Sequence, residues 1–279
     1  MTRGRLFLVA TPIGNLGDMS PRAVETLRTC PRLVAEDTRR TRGLLTHFGI
    51  PGKSLEALHA HSPPRDVERV LGYLLAGESV ALVTDAGTPL VSDPGQALAR
   101  AAIAAGVDVV PIPGASAVLV ALVGSGLVDG AFRFIGFLPR EGTARRDALA
   151  LVAATPECVV LFEAPGRCAA TLRDVADATP ARQACVAREL TKLHEEFIRG
   201  SAAELAAQER EWLGEVVIVL GPHDPAAREE TVTDSALDAR IDAELAAGAH
   251  AKGLAERLAA WSGRPKRLVY ERVLARKPR

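Results

Sequence analysis

With 279 residues, 48% of them hydrophobic and 24% charged, the chain has the composition of a folded globular protein and excludes disorder as its dominant state. Its length suggests two main domains and a small appendage. The 34 basic and 34 acidic residues cancel, so overall charge cannot hold a nucleic acid and any such partner needs a local basic patch.

The first apolar run, RLFLVA over residues 5 to 10, meets Pro12 almost at once. It is too short for a signal-peptide core or a membrane span, which gives a cytoplasmic protein whose run is a buried strand. RLVAE (32 to 36), SVALV (79 to 83) and VDVVPI (107 to 112) repeat the pattern, as strands of a parallel sheet covered on both faces do. Helices are expected between them over Pro21–Cys30, Asp66–Ala76 and Gly95–Ala105, the first with Ser20 as its N-cap and Pro21 at its first position. From PIPGAS onward the apolar runs FRFIGF, ECVVLFE, QACVARE, EEFIRG and EVVIVLG crowd together, which predicts a second, mixed sheet. The expected organisation is an α/β domain over 1–113, a second over 114–222, a linker over 223–233 and a small basic helical module over 234–279. In that module Leu254, Leu258 and Trp261 form one helical stripe and Leu268, Val269, Val273 and Leu274 another. Cys30, Cys158, Cys168 and Cys185 are scattered, without zinc-ligand spacing, so neither metal nor disulfides are expected.

Three loops stand where α/β sheets bind ligands, at the carboxyl ends of strands. Ala10-Thr11-Pro12-Ile13-Gly14-Asn15 follows the first strand, Asp85-Ala86-Gly87-Thr88-Pro89 with Ser92 follows SVALV, and Pro113-Gly114-Ala115-Ser116 follows VDVVPI. None is a dinucleotide fingerprint or a phosphate-binding P-loop. Small residues let a ligand approach the backbone, and an acidic side chain such as Asp85 can face an ammonium or sulfonium charge.

The blocks LFLVATPIGNLGD, LVAEDTRRTRGLL, ALVTDAGTPLVSDPG, PIPGAS, GFLPR and VARELTKLHEE, in that order from about residue 5 to 220, resemble the ribosomal RNA small-subunit methyltransferase I family. The resemblance implies the tetrapyrrole-methylase fold, with two α/β domains and S-adenosylmethionine in the cleft between them. It also implies a homodimer and methylation of a cytidine 2'-hydroxyl in 16S ribosomal RNA of the small subunit. The cofactor-binding residues it points to are Thr11, Pro12, Ile13, Gly14, Asp85, Ala86, Gly87, Thr88, Pro89, Ser92, Ala115 and Ser116, with Arg188 and Glu189 from the second domain. Where the family reads His-x-His-Asn-Glu, this chain has His59-Ala60-His61-Ser62-Pro63.

RNA contact is expected from Arg39 and Arg42, three apart on a helix start, from Arg140, Arg145 and Arg146 on a mobile loop and helix start, and from Lys266 and Arg267 of the basic tail. A base for the hydroxyl proton would come from Glu36, Asp37, Glu189 or His61, among which the sequence does not choose. Methylation of a tetrapyrrole precursor and a non-catalytic RNA-binding assembly role are the competing readings; the arginine blocks oppose the first and the three intact loops the second.

Overall fold

The computed structural model describes residues 3–59, 62–92, 95–224, 234–246, 249–262 and 264–276. Strands β1 (Arg5–Val9), β2 (Arg32–Ala35), β3 (Ser54–Ala57), β4 (Val80–Val83) and β5 (Asp108–Ile112) alternate with helices α1 (Pro21–Thr29), α2 (Thr38–His47), α3 (Pro64–Leu75) and α4 (Gln96–Ala104). The strands form an all-parallel sheet in the order β3-β2-β4-β1-β5. Both faces are apolar because alternate residues of each strand point opposite ways. Ala81 and Val83 pack with Leu27 of α1 and Leu45 of α2, whereas Val80 and Leu82 pack with Val70 and Leu74 of α3 and Leu98 of α4.

The strand order contains a switch point. From β1 the chain moves to β2 on one side; from β4 it crosses to β5 on the other. The loops after β1 and β4 therefore separate above two adjacent strands, which opens a crevice.

The second sheet, order β6-β7-β10-β8-β9, is mixed as expected. It comprises β6 (Phe132–Phe137), β7 (Cys158–Glu163), β8 (Gln183–Arg188), β9 (Glu196–Ser201) and β10 (Val216–Leu220). β6 runs parallel to β7 and the remaining pairs are antiparallel. One face is covered by α6 (Gly142–Ala154), α7 (Pro165–Ala178) and α8 (Ala202–Ala206). On the other face lie Val118, Ala121 and Leu122 of α5 (Ala117–Ser125), together with Ile13 from the β1 loop. Ile13 thus carries a first-sheet loop into the core of the second.

Helices α9 (Asp234–Ala246), α10 (Ala251–Ser262) and α11 (Lys266–Arg276) follow. Leu237 and Ile241 of α9, Leu254 and Leu258 of α10, and Val269 and Val273 of α11 share a separate core. Leu268 and Leu274, expected on the buried stripe, are exposed.

Two expectations about element bounds need correction. β3 is a strand that the sequence pattern did not announce. It ends at Ala57, and His59, beyond it, exchanges hydrogen bonds with Ser62. α3 begins at Pro64, whose fixed φ suits a first helical position, rather than at Asp66. The four cysteines are buried free thiols, and burial pushes the Cys168 thiol up to about 12.

Candidate functional site

At the switch point Thr11 and Gly87 form a two-way bridge: the Thr11 N–H donates to the Gly87 carbonyl (2.9 Å) and the Gly87 N–H donates back (3.1 Å). Gly87 has φ +80, and an added Cβ would press on Ile13 at 3.3 Å. Only glycine takes that conformation and that approach without strain. Gly14 is equally constrained: a Cβ there would meet the Leu190 carbonyl at 2.9 Å, and the adjacent Asn15 N–H donates to Thr191 Oγ1 at 3.1 Å. The β1 loop is thereby fastened to the loop after β8.

Two clefts flank the bridge. The larger, about 440 Å³, is lined by Ile13, Ala86, Gly87, Thr88, Ser92 and Ser116, and from the second sheet by Phe137, Phe162, Glu163 and Glu215. The smaller, about 190 Å³, is lined by Thr11, Pro12, Leu16, Arg40, Thr41, Gly43, Leu44, Thr84 and Asp85. Among the described residues the four non-glycine residues with positive φ are Leu90, Ser92, Glu189 and Thr191. Leu90 and Ser92 belong to the loop after β4, which borders the larger cleft through Ser92, and Glu189 and Thr191 to the loop after β8, on which the β1 loop is fastened.

The residues expected to bind cofactor divide accordingly. Six of them line the larger cleft; Thr11, Pro12 and Asp85 line the smaller. Pro89 is buried within its own loop. The Ala115 carbonyl accepts from Thr88 Oγ1 at 3.1 Å and so ties the β4 and β5 loops together. Arg188 and Glu189 line neither cleft. Arg188 donates to Glu196 and to the Leu213 carbonyl, while Glu189 accepts from Lys192 Nζ (3.0 Å) and the Glu215 N–H (2.9 Å). These bonds hold the Glu189 carboxyl below its usual range, the Glu215 N–H first.

The sequence reading missed Phe137, Phe162, Glu163 and Glu215. Its available signal was the run Phe162-Glu163-Ala164-Pro165, another strand end with proline at a first helical position. Glu163 is 2% exposed; its carboxylate accepts from the Ala164 N–H (2.8 Å), Thr171 Oγ1 (2.6 Å) and Arg167. It anchors the wall of the cleft.

Asp37 caps α2 by accepting from the Arg39 N–H at 2.8 Å, and the Arg39 guanidinium grips the same carboxylate. The Arg39 pairing, then the cap bond, holds Asp37 at about 2. Asp85 Oδ1 accepts from the Asp37 N–H at 3.0 Å, and Arg40 approaches Oδ2 at 3.9 Å. Glu36 is half-buried beside this cap. His61 lies outside the described residues.

Of the arginines expected on RNA, Arg42, Arg140 and Arg146 are exposed. Arg145 is not available: its guanidinium bonds Asp174 (2.5 Å), Thr171 (3.0 Å) and the Pro139 carbonyl (3.1 Å). With Arg167, which bonds the Leu138 carbonyl at 2.8 Å, it clamps the loop that the sequence suggested was mobile. The basic tail is also largely neutralised. Arg264, Arg272 and Arg276 pair with Asp234, Asp238 and Asp242 of α9, because the acidic and basic helices pack side by side. Lys266 pairs with Glu256, and Arg267, 87% exposed at its side chain, with Glu271.

The family model of Tetrapyrrole (Corrin/Porphyrin) Methylases matches residues 5–206. A Ribosomal RNA small subunit methyltransferase I of Xylella fastidiosa is 51% identical over 236 residues, covering 82% of this chain and 86% of that protein. One from Micromonospora olivasterospora is 43% identical over 274 residues, covering 97% and 86%. The chain belongs to this family. It is a methyltransferase, and its two sheets are the tetrapyrrole-methylase fold. Uroporphyrin-III C-methyl transferase from Thermus thermophilus, solved with S-adenyl homocysteine, superposes with a TM-score of 0.56 at 19% identity, covering 78% of this chain and 97% of that one. That likeness carries the fold. No helix among the described residues is long and apolar enough to cross a membrane.

Proposed function

We propose that this enzyme transfers the methyl group of S-adenosylmethionine to the 2'-hydroxyl of a cytidine in 16S ribosomal RNA of the small ribosomal subunit. The reading is carried by a cleft of about 440 Å³ at the sheet's switch point in a chain 51% identical to a small-subunit RNA methyltransferase.

The cleft suits the donor's chemistry. Its volume lies in the ordinary range for ligand sites. Phe137 and Phe162, 5.6 Å apart between ring centroids, offer an apolar wall for an adenine. Ser92 and Ser116 offer hydroxyls, and the exposed Glu215 carboxylate, which accepts from Lys192 Nζ at 2.9 Å, sets negative charge at the rim for an ammonium or a sulfonium. Missing side-chain bulk at Gly87 lets Ile13 pack close beside the cleft. When bound, S-adenosylmethionine supplies a methyl group on positively charged sulfur, which departs as a neutral sulfide.

The chain's part is chiefly orientation, because the hydroxyl oxygen, methyl carbon and sulfur must lie nearly in line. The Thr11–Gly87 bridge and the Gly14–Leu190 contact fix the loops that do this. Asp37 and Glu189 act as positioning residues. A carboxylate held near 2 by Arg39 is a weak proton acceptor, and Lys192 with the Glu215 N–H restrains Glu189 in the same direction. Glu36 and His61 are therefore the proton acceptors to test.

We infer that the enzyme works as a homodimer in the cytoplasm, where it meets ribosomal subunits. Leu119 and Val123, one turn apart on α5, are 52% and 72% exposed and give it an apolar outer face.

Incubation with methyl-labelled S-adenosylmethionine and either unmodified small subunits, naked 16S RNA or a porphyrin precursor tests the reading. Label is expected in the subunit RNA. Label in the porphyrin, or none in any acceptor despite donor binding, overturns it.

A further inference from the structure

The smaller cleft contains a feature that the donor does not explain. Thr41, 2% exposed, lines it, and its Oγ1 is buried without a hydrogen-bond partner among the described residues. Helical threonines commonly turn this hydroxyl onto the carbonyl four residues back. Here the Asp37 carbonyl accepts the Thr41 N–H at 3.1 Å, and the hydroxyl remains unpaired. Beside it stands Asp85, whose Oδ1 is committed to the Asp37 N–H, while Oδ2 has Arg40 at 3.9 Å, beyond hydrogen-bond length. Pro12, Leu16 and Leu44 supply apolar walls, and Gly43 has open space where a side chain would stand. The pocket thus combines a narrow apolar slot and one carboxylate oxygen, with an unpaired hydroxyl buried in its wall that a turn of the Thr41 side chain would bring to a ligand.

We propose that this pocket takes the base of the acceptor nucleotide and reads it as cytosine, a reading that rests on the function proposed above. Asp85 Oδ2 accepts from the exocyclic amine, Thr41 Oγ1 bonds the ring edge, and the apolar walls flank the ring. A carboxylate accepting from the cytosine amine is a direct discriminator, because uracil presents a carbonyl at that position and would face the carboxylate with like partial charge. A base drawn out of its stack into a fitted pocket is the usual solution when chemistry must reach one nucleotide. The location fits as well. Thr11, Pro12, Thr84 and Asp85 line this pocket, while their chain neighbours Ile13, Ala86 and Gly87 line the donor cleft. A nucleoside whose base enters the smaller pocket sets its ribose on the ridge beside the donor. Arg40, 69% exposed at its side chain, stands at the mouth for the phosphate.

The test compares methylation of small subunits carrying cytidine or uridine at the modified position, with donor affinity measured by calorimetry. Asp85→Asn is informative because its amide oxygen keeps the bond to the Asp37 N–H and only the pocket-facing atom changes from acceptor to donor. The wild-type enzyme should favour cytidine by at least about tenfold in kcat/KM, Asp85→Asn should lower that ratio about tenfold, and Thr41→Val should raise KM several-fold with donor affinity unaltered. An unchanged ratio in Asp85→Asn, or an unchanged KM in Thr41→Val, overturns the assignment while leaving the function standing. A wild-type enzyme that methylates neither subunit overturns both.

Discussion

Asp37 shows how one side chain joins fold and site. It caps α2, pairs with Arg39 and presents its N–H to Asp85. Its carboxyl is lowered from an ordinary 3.8 to about 2, so its contribution is fully present above pH 4 and fades as pH falls through 2. Carbon NMR of the Asp37 carboxyl should therefore give a midpoint near 2, and Arg39→Ala should return it toward the ordinary value; a midpoint near 4 in the unaltered protein would dissolve the pairing. At this scale the site was partly legible in sequence. Small residues at strand ends pointed to Ile13, Ala86, Gly87, Thr88, Ser92 and Ser116, and these line one cleft. The sequence could not separate Asp85 and Pro12 into a second pocket, since that depends on which side of the Thr11–Gly87 bridge each side chain lies. Nor could it tell Arg145, locked on Asp174, from exposed Arg146: adjacent helical residues face different ways, and only packing decides which face is buried.

Among the elements, charge was the most misleading signal. α11 reads as a basic surface for RNA, yet Arg272 and Arg276 lie against Asp238 and Asp242, which are lowered by those arginines. The depressed carboxyls contribute above their ordinary value and lose that contribution on acidification, so circular dichroism should show α9–α11 loosening as pH drops below about 4. Of the charges of α11, Lys266 and Arg267 are the more exposed. The double replacement Lys266→Ala, Arg267→Ala should reduce the slope of log affinity against log salt by about 1.5, as expected for two phosphate contacts. Arg272→Ala should leave that slope alone and weaken the three-helix unit. A larger loss of slope in Arg272→Ala than in the double variant would restore the whole helix as an RNA surface. The buried parallel strands were readable because their apolar runs are continuous, whereas β3, two exposed and two half-buried residues at the sheet edge, carries no such run.

For the whole molecule, the central consequence is that the two clefts share one ridge, Thr11–Ile13 and Asp85–Gly87. Two sheets meet there because Ile13 enters the second core and Gly14 admits the Leu190 loop, contacts between distant segments that no local pattern encodes. The assembly is a further prediction at this scale: Val123→Asp places a charge on the apolar face of α5, and sedimentation should show a dimer converted to monomer. An unaltered sedimentation coefficient would put the interface elsewhere. The decisive measurement locates the transferred methyl group. Small subunits methylated by the pure enzyme should, on nuclease digestion and mass spectrometry, yield one new nucleoside, 2'-O-methylcytidine. A methyl group on a base, or on the ribose of another nucleotide, would contradict it.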